Sequence, residues 1–430
     1  MKIPPLPLLL LAAFGWLPFA ARADDWPQFR GTNRDAAWNE AGIMQTFPPE
    51  GLKTAWRAPV GNGLSSPVVA QGRVYLIGSE LEKKPKARER VHCLDEKTGQ
   101  PLWSHAYDAT YPDWAFDPAQ NSGPNATPIV HGGKIYTLGQ MGDLLCLDAA
   151  KGTVLWQKNL MKEYATKEFT GTTPSPLIEG GLLILAPGAQ PGACVIALDK
   201  DTGKEVWHAL DDPWTYSSPI VISAGGQRQL IVWTPKSVVS LNPADGKTWW
   251  REEVDTTNNY GVATPVHTGD RLLLSGLMFQ LDPAKPAATV LWPERKIGSK
   301  VVLSSCSIPA VKDGRVYSGK TSGQLVCLDA ATGKEIWITD KVTGKGQGAT
   351  IHITPNGGTF LLFTDQGNLI RAKLSPEGYG ELSRVHLADP VQIFAGRKLI
   401  WPPPAYANGR IFIHNGGELL CASLEATPPR

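Results

Sequence analysis

Four stretches of this chain are nearly the same phrase: CLDEKTGQPLW from Cys93, CLDAAKGTVLW from Cys146, ALDKDTGKEVW from Ala197 and CLDAATGKEIW from Cys327. Relaxed to [Asp/Asn]-x3-Gly-x3-Trp, the phrase stands at Asp95/Gly99/Trp103, Asp148/Gly152/Trp156, Asp199/Gly203/Trp207, Asn242/Gly246/Trp250 and Asp329/Gly333/Trp337. A looser copy without the glycine runs from Asp282 to Trp292. Each piece has a physical task. The Asp or Asn side chain accepts hydrogen bonds from turn amides. Glycine permits the positive φ that reverses the chain. Tryptophan opens the next strand and offers a broad flat surface to a neighbouring unit. A phrase used this often is a building unit, not a catalytic centre.

A second signature alternates with the first: a Ser/Thr-Pro-apolar strand, a Gly turn and a further strand, as in SSPVVAQGRVYLIG from Ser65 and ATPIVHGGKIYTLG from Ala126. Alternating apolar runs around glycine turns predict hairpins, and no segment sustains a helical period. The marker prolines are Pro67, Pro128, Pro176, Pro219, Pro265, Pro309, Pro355 and Pro404, with most steps in the forties. One unit is therefore four short strands, the size of a propeller blade. Trp56 precedes the first unit like a fourth strand without its first three, and the last unit, Pro404 to Leu424, stops after three. Joined, the fragments complete a blade, which closes the ring and removes exposed strand edges. The predicted fold is all-β: an eight-bladed β-propeller with its last blade shared by both chain ends. The seventh blade is degenerate, with Leu382 or Val385 where tryptophan is expected.

The chain has 430 residues with 42 Lys+Arg against 40 Asp+Glu, so charge gives no general attraction to nucleic acid or anionic lipid. Lys2, the apolar stretch after it and Ala-Arg-Ala ending at Ala23 form a secretory-signal pattern. Residues 1–23 are expected to be the signal and 24–430 a single propeller domain. The product is expected in the periplasm or outside the cell, soluble, monomeric, without a transmembrane segment or a lipid-anchor cysteine. Cys93, Cys146, Cys327 and Cys421 occupy equivalent places in separate units, too far apart to pair. Cys194 and Cys306 lie off this register and leave one bridge open between them.

Reactive motifs are scarce. There is no Gly-x-Ser-x-Gly elbow, and the eight histidines lack metal-like spacing. GKGQGAT, Gly344 to Thr350, only loosely resembles a phosphate loop, and the paired aspartates of LDKDTGK lack the other ligands of a calcium loop. No catalytic residue and no metal site is expected. What remains is surface. Last-to-first and second-to-third strand connections share one face, and here they are long and aromatic, while the opposite face carries tight turns. Trp114, Asn125, Tyr216, Tyr260, His352 and Trp401 are the candidate binding residues of that loop face. The mostly basic insertion Glu80 to Arg90 reads as a solvated flap.

LDAATGKEIW and LDKDTGKEVW resemble the tryptophan-docking repeats of propellers of the pyrroloquinoline-quinone type, and DDWPQFRGTNRD from Asp24 resembles the start of secreted bacterial proteins with such repeats. That family includes quinoprotein alcohol dehydrogenases and the outer-membrane assembly protein BamB. The dehydrogenase branch implies pyrroloquinoline quinone and calcium over the central funnel, a pair of adjacent cysteines beside the quinone and an aspartate base. No two cysteines are adjacent in this chain, and no stretch matches the base motif. The resemblance therefore implies a BamB-like, non-catalytic scaffold without a cofactor, binding a protein, peptide or glycan on the loop face. The alternative it implies is a quinone-dependent oxidoreductase acting on an alcohol or sugar. The WPQFRG start and the missing anchor cysteine set the chain apart from BamB itself.

Overall fold

The computed structural model describes residues 24–117, 123–164, 173–254, 263–293, 303–304, 306–394 and 396–426. The segment 1–23 that carries the signal pattern lies outside them. Among the described residues are eight four-stranded antiparallel sheets and one two-stranded hairpin. Seven sheets take their strands in chain order. In the eighth, Thr54–Pro59 pairs with Glu418–Ser423, followed by Arg410–His414 and Ala405–Ala407. Trp56 faces Cys421 there, as Trp337 faces Cys327 in the sixth blade. The chain ends thus share one blade, as the sequence predicts.

The repeated phrase forms the seam between blades. Asp95 Oδ1 accepts from the amides of Lys97 and Thr98 and from the Thr98 hydroxyl at 3.1, 2.9 and 2.8 Å, and Gly99 has φ +70°. Each tryptophan reaches one blade onward. The indole Nε1 of Trp56 donates to Glu96 O at 2.9 Å, Trp103 to Ala149 O at 3.1 Å, Trp156 to Lys200 O at 3.2 Å and Trp207 to Pro243 O at 3.1 Å. Trp292 and Trp337 do the same to Ala330 O and Ser375 O. The indole also lies flat on the next blade's glycine: a Cβ on Gly152 would stand 2.4 Å from the Trp103 ring. Glycine here answers to close approach as much as to φ. Trp250 is the exception, because the fifth blade's longer turn has no glycine to receive it. It donates instead to Gln229 Oε1 of its own sheet at 2.8 Å.

Three expectations are corrected by the register. In the seventh blade the position facing Arg371, where other blades carry tryptophan, is Ser383, not Leu382 or Val385. Ser383 Oγ accepts from Phe47 N at 2.7 Å, and Phe47, Ile43, Val385 and Leu424 share one buried cluster. The segment before the first strand therefore seals this seam. Pro355 does not start its strand but lies inside Ile351–Asn356, and its carbonyl accepts from Trp38 N, so this edge asks nothing of the missing prolyl N–H. The supposed flap is the tip of a long hairpin, Arg73–Leu81 with Lys86–Asp95, because pairing continues through the insertion. None of the six cysteines forms a disulfide, so Cys194 and Cys306 are not bridged.

The Ser/Thr-Pro signature belts the hub. Ser66 N donates to Thr127 Oγ1 at 3.2 Å, Thr127 N to Ser175 Oγ at 2.9 Å and Ser175 N to Ser218 Oγ at 2.9 Å, each hydroxyl lying in the next blade. The segment from Asp24 crosses the ring at the end where the tight turns lie. Trp26 pairs with Val69, Pro27 O accepts from Val130 N, and Trp38 stacks on Tyr406 at 5.3 Å. Glu40 accepts from the amides of Asn408 and Gly409. The WPQFRG stretch is thus the floor of the hub.

Candidate functional site

On the loop face the candidate residues fall into separate groups. Trp114 lies in the short 3-10 helix Asp113–Phe116, packed on Ala87, Ala109 and Tyr111 at the crest of the first blade. Asn125 Nδ2 donates to Gln140 Oε1 at 3.2 Å. His352 is buried, with Nε2 2.9 Å from Trp401 O, and Trp401 Nε1 donates to Gly348 O at 2.9 Å. Burial pushes His352 down to about 4, so it is a neutral strut under the face. Tyr216 meets Trp214 edge-on at 5.0 Å. Tyr260 lies outside the described residues. Trp401 and His352 are joined directly.

The acids of this face are each held by partners of their own. Glu89 is fully buried: Tyr107 OH donates to its Oε2 at 2.5 Å, Tyr111 OH and Gln140 N to its Oε1 at 2.7 and 2.9 Å. Burial outweighs these three donors and raises the carboxyl to about 7. Asp365, equally buried, takes Thr343 Oγ1 at 2.7 Å and pairs with Arg397 at 2.6 Å. Asp212 accepts from Thr234 Oγ1 at 3.0 Å and pairs with Arg251. Asn159 Nδ2 donates to Asp143 Oδ1 at 2.9 Å.

A quinone with calcium needs acids and amides converging on one cation. Among the described residues no group of three or more His, Cys, Asp or Glu is placed to hold a metal. Each of the acids described has partners of its own and no two cysteines are adjacent, so no step is derived through that cofactor. The GKGQGAT loop leads into a strand, and Arg397 Nη2 donates to Gly344 O at 3.2 Å. In LDKDTGK, Asp201 is held by Lys134 and Lys200 at 2.6 and 2.9 Å.

The sequence reading missed one element. VQIFAGRKLI, which carries neither of the two repeat signatures, forms the hairpin Gln392–Phe394 with Arg397–Leu399, which belongs to no blade. Val391, Ile393 and Phe394 are 47, 37 and 36% exposed on it. Phe394 sits 4.7 Å from Trp401, ring to ring, so the hairpin extends one of the candidate groups. Its alternation around Gly396 was a usable signal, but the four-strand count left no place for an extra pair.

The family model described as outer membrane protein assembly factor BamB matches residues 87–301 and 285–422. The chain is 25% identical over 248 residues to the outer membrane protein assembly factor BamB of Moranella endobia (strain PCIT), covering 52% of this chain and 61% of that protein. It is 26% identical over 205 residues to the quinohemoprotein alcohol dehydrogenase of Comamonas testosteroni, covering 46% of this chain and 27% of that one. The chain thus spans 61% and 27% of the length of these two relatives. The crystal structure of the Comamonas testosteroni enzyme matches with a TM-score of 0.65 at 15% identity, over 94% of this chain and 81% of that one. This shows a shared fold.

Proposed function

Since the chain belongs to the family of the outer membrane protein assembly factor BamB, we propose that it is an exported, non-catalytic propeller that docks a protein partner on its loop face. Residues 1–23 are the secretion signal in this reading, and the ring from Asp24 onward is the working part. The observation that carries it is the extra hairpin. Three large apolar side chains in solvent, on an element that closes no blade, mark a contact surface more than a fold requirement. Trp401 and Trp114 flank the binding face, and the buried acids below stiffen it. A photo-crosslinking residue at Ile393, and another at Asn33 on the opposite face as control, tests the reading in cells that express the protein. One discrete adduct from position 393, absent in Phe394→Asp, is expected; equal labelling from both faces, or none from 393, refutes it.

A second reading, a quinone-dependent oxidoreductase acting on an alcohol or sugar, is favoured by one fact: the sequence match to the quinohemoprotein alcohol dehydrogenase of Comamonas testosteroni over 46% of this chain. Purified protein given pyrroloquinoline quinone and calcium would then retain quinone absorbance through gel filtration and reduce a dye with alcohols or aldoses. Loss of all quinone in the column removes this reading.

A further inference from the structure

The floor of the hub holds two cations that make no ion pair among the described residues. Arg30 and Arg34 rise from the crossing segment into the ring and are only 2% and 6% exposed. Arg30 Nη1 donates to Pro265 O at 2.9 Å, in the fifth blade, and Arg34 Nη1 to Pro176 O at 2.9 Å, in the third. Gln28 Oε1 accepts from Arg34 at 3.2 Å. These acceptors are all neutral. Neither guanidinium has an ion pair among the described residues, and Arg30 Nε, Arg30 Nη2 and Arg34 Nε are buried without any partner. Burial depresses both groups, Arg30 to about 10 and Arg34 to about 9, the second also by the charge of the first. Both remain protonated at neutral pH. A buried unpaired charge costs several kcal/mol or more, so a pair of them calls for a counter-charge. The backbone is held for it: Arg30 and Arg34 themselves have φ +64° and +56°, a conformation non-glycine residues seldom take.

There is room for that counter-charge. A cavity of about 450 Å³ lies between the crossing segment and the third to fifth blades, walled among others by Gln28, Arg34, Ile178, Ile222, Arg228 and His267. His267 Nε2 is a second buried nitrogen there without a partner. The acids on this wall are accounted for. Glu179 takes Arg228 at 2.8 and 2.6 Å, and Asp35 caps Ala37 N at 3.0 Å while acting on Arg30 only through its field. With Arg228 and Glu179 cancelling, two arginines face one aspartate, and the site is net positive.

We propose that this cavity binds a small oxyanion, of the phosphate, sulfate or carboxylate class, on Arg34 with the charge of Arg30 behind it and His267 at the cavity wall. The oxyanion fastens the start of the chain to the third and fifth blades, so its binding stabilises the closed ring. This site is on the tight-turn end, away from the loop face, and does not depend on what docks there.

The test uses the full mature chain. Melting temperature is followed while sodium chloride is replaced by sodium phosphate, sulfate or acetate at constant ionic strength, with glycerol phosphate as the probe of an organic carrier. A saturable rise with at least one oxyanion is expected, retained in Arg88→Met, an exposed arginine paired with Asp108 on the first-blade hairpin, and lost in Arg34→Met. A larger or tighter response to glycerol phosphate than to phosphate assigns the site to a phosphorylated molecule; an equal or smaller one assigns it to the free ion. A crystal grown with selenate supplies the readout if Arg34→Met fails to fold: an anomalous peak within hydrogen-bond distance of Arg34 Nε supports the site. Water alone at Arg34 Nε and His267 Nε2 in that crystal overturns it, as does a melting temperature indifferent to the exchange of chloride for every oxyanion.

Discussion

Replacing Glu89 with glutamine tests the electrostatics beneath the loop face. The carboxyl is raised from 4.5 to about 7 because burial disfavours its charged form. In the unfolded chain it is ionised above about pH 5, whereas in the ring it stays protonated up to about 7. Between those values the native state binds the extra proton, so stability falls as pH rises through this window and levels off above it. A difference of 2 to 3 pKa units corresponds to about 3 kcal/mol. Glutamine resembles the protonated acid: its carbonyl still accepts from Tyr111 and Gln140, and its amide donates toward Tyr107, but it does not titrate. The stability of Glu89→Gln relative to the parent should therefore climb by about 3 kcal/mol from pH 5 to pH 8. Taking this difference cancels the other titrating groups, which both proteins share. Urea unfolding followed by tryptophan fluorescence at pH 5, 6, 7 and 8 measures it, provided the slope with urea is unchanged. A difference that is flat across the range would falsify the claim that Glu89 sits dry and neutral.

Other consequences follow from the seams. Gly152→Ala should cost several kcal/mol, since its Cβ would meet the Trp103 ring at 2.4 Å, while Gly132→Ala, with φ +57° and nothing within 4 Å, should cost only about 1 kcal/mol; paired thermal unfolding compares them. Trp207→Phe removes the donor to Pro243 O and should destabilise by at least about 1 kcal/mol, read by urea unfolding. Ser383→Ala strips the acceptor from Phe47 N and should cost about 1–3 kcal/mol, with faster proteolysis of the segment before Thr54 as the local readout. Phe394→Asp on the hairpin gives up the ring contact with Trp401, a cost of about 1 kcal/mol read by thermal unfolding, and should abolish partner adducts while the ring stays folded.

What was legible in the chain follows from what a ring must repeat. The aspartate, glycine and tryptophan of the turns are dictated by a contact between neighbouring blades that recurs at most seams, so the residues recur, and the marker prolines that alternate with them give the count of eight. The Ser/Thr-Pro pairs are legible for the same reason, because Thr127, Ser175 and Ser218 each close the same hydrogen bond to the preceding blade. What happens once has no second copy to reveal it. Ser383 looks like a gap in the pattern until Phe47, far away in the chain, is seen to take the vacated seam. Arg30 and Arg34 look like surface charges in a polar stretch until their carbonyl partners, 235 and 142 residues on, draw them inside. The same division explains the loop face. Glu89, Asp212 and Asp365 sit at the crests of different blades and are satisfied by different partners, so no shared spacing announces them. In a repeat fold the repeated residues build the wheel, so it is on departures from the repeat, the extra hairpin and the paired arginines in the floor, that both proposals rest.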